Sequence, residues 1–202
     1  MTELTGFTFG MNDKRSSGQV TITNKTSALT EGLLGTNFGT QISTTKYYLQ
    51  EIYVEPDADT VVLGELSDTG NAGFVMKDMG DWTSIYAATP CLSTDVYRNI
   101  LKMADIHAYS ENKSDIIWTN SAYVGIHSAA SGMKKIYLPD NYAVYDVFEE
   151  KYISMNTNVI EYYNKVNDTH LFRLMPVDTY SFLAMVKGGH GTVSSAGLEQ
   201  LA

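Results

Sequence analysis

The stretch Trp82-Thr83-Ser84-Ile85-Tyr86-Ala87, followed by Ser93-Thr94-Asp95-Val96-Tyr97-Arg98-Asn99-Ile100-Leu101-Lys102-Met103-Ala104 and then Ile106-His107-Ala108-Tyr109, decides the fold class expected of this chain. Its first part is rich in β-branched and aromatic residues, as a half-buried strand is. In the second, Val96, Ile100, Leu101 and Ala104 fall on one helical stripe, and Ser93 or Thr94 can cap the first amides. The third looks like a short strand. The spacing thus predicts a strand, helix, strand succession over 82–109, an α/β layer with a right-handed crossover if the strands are parallel.

Upstream, further strands are expected at Gln19–Thr23, Tyr47–Val54, Thr60–Leu66 and Ala72–Asp78. Gly70 with Asn71 and Gly80 with Asp81 are turn signals, and Glu55-Pro56-Asp57-Ala58-Asp59 reads as an exposed turn. Downstream of Ser110 the pattern is of strands alone: 115–120, 122–128, 134–138, 143–148, 159–163 and 170–175. Ser131 with Gly132, and Pro139 to Asn141, separate neighbours. The expectation is α/β plus all-β, with an α/β domain over 1–110, a small antiparallel β-sandwich over 111–176, and a tail over 177–202 that is flexible or adds a strand. The polar stretch Glu111 to Ser114 marks the boundary.

Composition limits the function. The chain has 202 residues, 44% of them hydrophobic and 18% charged, enough to bury a core. Its formal charge of -9 and pI near 4.8 disfavour phosphate backbones and anionic lipid, so neither nucleic acid nor a membrane is expected as partner. No apolar run approaches the length of a bilayer-spanning helix, and Met1 to Gly10 lack a basic stretch followed by an apolar core, so the expected location is the cytoplasm.

Candidate chemistry is sparse. The single cysteine, Cys91, rules out an intrachain disulfide and a thiolate zinc cage. Its place before the helix permits an activated thiol, but the reading preferred is a small buried residue at a bend. His107, His127, His170 and His190 are dispersed, without the spacing of a metal site; His107 and His127 are expected to satisfy core or domain-interface hydrogen bonds. No nucleophile elbow, phosphate loop or dinucleotide fingerprint occurs. Glu149 with Glu150, and Asp57 with Asp59, look like solvated turns rather than a carboxylate pair for glycoside hydrolysis. The expectation is no catalytic residue, no metal, no cofactor, and no cleft where Cys91, a histidine and an acid converge.

The aromatic residues allow a different function. Trp82, Tyr86, Trp118, Tyr123, Tyr137, Tyr142 and Tyr145 are either core and interface residues or a stacking platform for sugar rings. If Trp118, Tyr123, Tyr137 and Tyr142 stand exposed on one face, the chain is a carbohydrate-binding module.

Several ordered patterns resemble a known family. Gly80-Asp81-Trp82-Thr83-Ser84-Ile85-Tyr86, Pro90-Cys91-Leu92, Tyr97-Arg98-Asn99-Ile100 and Ala104-Asp105-Ile106-His107-Ala108-Tyr109-Ser110 resemble the C-terminal region of β-galactosidase-like glycoside hydrolases. Leu4-Thr5-Gly6, Ala28-Leu29-Thr30-Glu31-Gly32-Leu33 and Tyr53-Val54-Glu55-Pro56-Asp57-Ala58-Asp59 look like the later part of its amidotransferase-like trimerisation domain. Trp118-Thr119-Asn120, Val124-Gly125-Ile126-His127, Ile136-Tyr137-Leu138-Pro139 and Val144-Tyr145-Asp146-Val147-Phe148 resemble the small β domain that closes such proteins. The resemblance spans about residues 4–175. It implies a partial flavodoxin-like domain without amidotransferase chemistry, then a β-sandwich, acting as a non-catalytic accessory or oligomerisation region. The implied partners are further copies of the chain or a catalytic glycoside hydrolase subunit. The family's catalytic barrel has no counterpart here, and neither does the opening half of its amidotransferase-like domain, which leaves a sheet edge to be covered by association.

Overall fold

The computed structural model describes residues 2–40 and 49–177. The chain divides into two compact units, Met1–Lys113 and Ser114–Ala202. The tail expected over 177–202 falls, from residue 178 on, outside the described residues, as does His190.

The first unit opens with a one-turn helix, α1 (Thr2–Thr5), and seven strands: β1 (Thr8–Ser16), β2 (Gln19–Ile22), β3 (Asn37–Gly39), β4 (Leu49–Glu55), β5 (Thr60–Leu66), β6 (Ala72–Asp78) and β7 (Thr83–Ala87). They form one sheet in the order β1-β4-β6-β5-β2-β3, with β7 also paired to β6. Tight turns connect its later strands. Ser67 to Asn71 joins β5 to β6 with Gly70 at φ +78, where a side chain would be strained. Asp57 joins β4 to β5 by accepting the Asp59 amide and the Thr60 hydroxyl, and it pairs with Lys77. Gly64 lets β5 approach β2, since a Cβ there would lie 2.7 Å from the Thr21 carbonyl oxygen.

Helix α2 (Thr94–Met103) begins at Ser93, whose side chain accepts the Val96 amide. Val96 is fully buried, and Ile100 and Leu92 pack with it against a core of Val20, Ile22, Leu29, Phe38, Leu63 and Phe74. Asn99 adds polar anchors by donating to the carbonyls of Leu29 and Glu31.

Two expectations fail here. Every strand pairing among the described residues is antiparallel, so neither a parallel crossover nor a flavodoxin-like layer is found; the fold is β-rich with few helices. Ile106 to Tyr109 is not a strand either. The helix ends in a turn with Asp105 at φ 52, and the Arg98 guanidinium then grips the following segment through the carbonyls of Ser110 and Asn112, 2.8 Å from each. Trp82, one of the aromatic residues weighed as core or as platform, stands exposed in the turn before β7.

The second unit is a five-stranded antiparallel sheet built from β8 (Ile116–Thr119), β9 (Tyr123–His127), β10 (Gly132–Asp146), β11 (Lys151–Asn164) and β12 (Thr169–Pro176). Their order is β11-β10-β12-β9-β8. Val124, Ile126, Ile136, Val144, Ile160, Phe172 and Leu174 are buried. The segments 134–138 and 143–148, expected as separate strands, belong largely to one long β10. Register shifts between Tyr137 and Tyr142 absorb Pro139 to Asn141 as an irregularity instead of a chain reversal. Lys134 and Asp115 form an ion pair inside this unit, with N···O distances of 2.9 and 2.8 Å.

Candidate functional site

A groove of about 250 Å³ opens on the second unit, and the pairing of three strands builds its floor. Gly125 on β9 lies opposite Trp118 on β8 and Leu171 on β12. Gly125 has no side chain, so the Trp118 ring lies across it: a Cβ there would be 3.6 Å from Trp118 Cε3 and 3.7 Å from Leu171 Cδ1. The indole is thus supported from beneath yet 57% exposed above.

The tight turn between β8 and β9 fixes the groove's end. Asn120 Oδ1 accepts the amides of Ala122 and Tyr123, both at 2.8 Å, which sets Tyr123 beside Trp118. A second turn brings Phe148 to the opposite wall. There Asp146 Oδ1 accepts the amides of Phe148 and Glu149, and the Val147 amide donates to the Leu171 carbonyl. Phe148 is 60% and Tyr123 36% exposed. Thr119, Asn120, Thr169 and His170 contribute polar groups to the lining, and no carboxylate side chain is part of it.

The structure therefore brings together two of the four aromatic residues singled out from the sequence. Trp118 and Tyr123 share this groove, whereas Tyr137 and Tyr142 lie half-buried on β10 and are not in its lining. Phe148 and Leu171 complete it. Neither is identifiable from sequence alone, because their placement depends on the β10–β12 and β9–β12 registers.

A second concavity of about 270 Å³ opens among β10, β11, β12 and the turn after Asp146. Along β12 side chains alternate: Thr169 and Leu171 face the groove and the rings of His170 and Phe172 stack on each other, with His170 lining both the groove and this concavity. His170 Nδ1 lies 2.7 Å from Asp146 Oδ2. Asp146 is 2% exposed, and the His170 side chain 18%. Tyr162 meets both the His170 and Phe172 rings edge-on. Burial, then the nearby carboxylates of Asp115 and Asp146, push its phenol well above the usual tyrosine range, so it stays protonated.

Other expectations resolve differently. Cys91 is exposed and adopts φ 66, so it is not the buried residue expected at that bend. His127 hydrogen-bonds Thr169 Oγ1 at 2.8 Å, and His107 packs edge-on against Tyr109. Among the described residues no cluster of three or more His, Cys, Asp or Glu side chains is placed to hold a metal ion. No helix among them is long and apolar enough to cross a membrane. A cleft with a histidine and an acid in bonding reach does exist, in the unit that lacks the cysteine.

No family model matches the chain, and no curated protein matches it. Solved structures similar to it include β-galactosidases. That of Bacillus circulans sp. alkalophilus matches 83% of this chain and 24% of its own at 11% identity and a TM-score of 0.49. The cold-adapted enzyme of Rahnella sp. R3 matches 77% of this chain and 22% of its own at 14% identity and a TM-score of 0.44. The chain thus spans about a quarter of the length of either enzyme.

Proposed function

We propose that this chain is a non-catalytic accessory region of a glycoside hydrolase, and that its second unit binds a neutral saccharide in the groove over Trp118. The observation that carries the binding role is the supported, exposed indole. A ring that lies over Gly125 in a groove also lined by Leu171, Tyr123 and Phe148 offers a rigid apolar face of the size of a pyranose. Sugar rings present C–H groups on one face and hydroxyls around the rim, so Thr119, Asn120 and Thr169 are suitably polar neighbours.

The lining favours binding over cleavage. Glycoside hydrolysis normally needs two carboxyl groups flanking the bond, and this groove's lining has no carboxylate side chain. An open site of this size with one main stacking residue should bind weakly, with a Kd of about 1 mM or somewhat below.

The accessory role is supported by the ordered sequence patterns described above, which also supply the proposed partners: another copy of the chain, or a catalytic glycoside hydrolase subunit. Light scattering of the purified chain, alone and mixed with a β-galactosidase barrel, tests that part. A monomer that ignores the barrel contradicts it. The binding role is tested by titrating tryptophan fluorescence with neutral oligosaccharides.

A further inference from the structure

The second, polar cleft beside β12 is built around one immobilised imidazole. Asp146 Oδ1 is occupied by the amides of Phe148 and Glu149, at 3.0 and 3.1 Å, so its Oδ2 is held in a fixed place. His170 Nδ1 meets that oxygen at 2.7 Å. Stacking on Phe172 and the edge of Tyr162 fix the plane of the ring. A neutral imidazole donating from Nδ1 to a carboxylate carries its lone pair on Nε2, which makes Nε2 a pre-oriented acceptor.

We propose that this cleft is a second saccharide subsite, in which His170 Nε2 accepts a hydrogen bond from a sugar hydroxyl and Asp146 is the positioning residue that selects the tautomer. It shares with the Trp118 groove the class of ligand and one residue, His170, which lines both. The lining places Lys151 and Lys165 against Asp146, Glu149 and Asp168, with Lys151 already facing Glu149 at 3.6 Å. Two ammonium groups against three carboxylates give no net attraction for an anion, whereas hydroxyls can bond to either sign. Tyr163, 63% exposed at the same cleft, supplies an aromatic face beside it.

The substitution Asp146→Asn separates this role from folding. Its Oδ1 can still accept both turn amides, while its Nδ2 donates to His170 Nδ1 and transfers the ring proton to Nε2, converting the acceptor into a donor. The probes are neutral mono- and disaccharides and their deoxyfluoro analogues, in which fluorine cannot donate. Nitrogen-15 NMR of the imidazole should show a wild-type lone pair on Nε2 whose resonance moves on adding saccharide. The analogue fluorinated at the contacted position should bind about tenfold more weakly to the wild type. That hydroxyl-over-fluorine preference should disappear in Asp146→Asn. Should that variant fold poorly, the fluorinated series on the wild type carries the test alone. A proton on Nε2 in the wild type, or an Nε2 resonance unmoved by any saccharide at about 50 mM, overturns the proposal. Loss of the fluorine preference must occur without loss of the Trp118 response. Because His170 also borders the Trp118 groove, its Nε2 response must persist in Trp118→Ala: loss of that response there sinks this inference, whereas a persisting Nε2 response with no indole signal in the wild type sinks only the groove.

Discussion

Asp115 and Lys134 form an ion pair in which both side chains are withdrawn from water, 1% and 4% exposed respectively. The carboxylate also accepts the Ala129 amide at 3.0 Å. The pair thereby ties the chain just before β8 to β10 and to the loop after β9. Removing one partner strands a buried charge, whereas removing both restores neutrality.

Asp115→Ala should therefore destabilise the second unit by about 3–5 kcal/mol, and Asp115→Leu with Lys134→Met should recover most of that loss. Urea denaturation of the single and double variants measures it. Equal losses in both would show that the methylene packing of Lys134, not its charge, holds the strands together.

Arg98 makes a different kind of tie. Its guanidinium donates to the Ser110 and Asn112 carbonyls, while Lys113 pairs with Asp95. Lysine cannot reproduce a planar fork, so Arg98→Lys should cost about 1–2 kcal/mol and speed protease cleavage between residues 105 and 113. Limited proteolysis followed by mass spectrometry reads this out. Unchanged cleavage there would mean the segment holds itself.

Asp57 should report its turn through pH. The hydrogen bonds from Lys77 and Thr60 lead in holding its carboxyl at about 2, below the ordinary 3.8. A depressed folded value contributes stability that is present above about 3.8 and is lost as pH falls towards 2. Carbon-13 NMR of the carboxyl should give a midpoint near 2, and Lys77→Ala should move it back towards 3.8. A wild-type midpoint at the ordinary value would remove the Lys77 bridge from the account.

The legibility of this fold followed the strength of local signals. Thr60–Leu66 and Ala72–Asp78 are strands with the boundaries expected, because a glycine turn and apolar, β-branched content agree there. Helix α2 was equally plain from its stripe and its Ser93 cap. Ile106 to Tyr109 misled because apolar content is no substitute for a ladder partner, and β1 was missed because Thr8–Ser16 is largely polar and lies at the sheet's edge. Pro139 misled for a related reason: a long strand can carry turn residues where its register shifts. In the groove, Trp118 and Tyr123 were accessible to composition. Phe148, Leu171 and the Asp146–His170 pair depend on cross-strand register, which no local pattern encodes.

The central claim is that Trp118 is a saccharide platform. Trp82 and Trp118 are the two tryptophans, and both are exposed, so the comparison must be made with Trp82→Phe as the background. Titration of that protein with neutral oligosaccharides should give a saturable fluorescence change at a Kd of about 1 mM or below, abolished by the further substitution Trp118→Ala with folding intact. Saturable binding that survives Trp118→Ala, or no fluorescence change with any neutral oligosaccharide tested, would contradict the account.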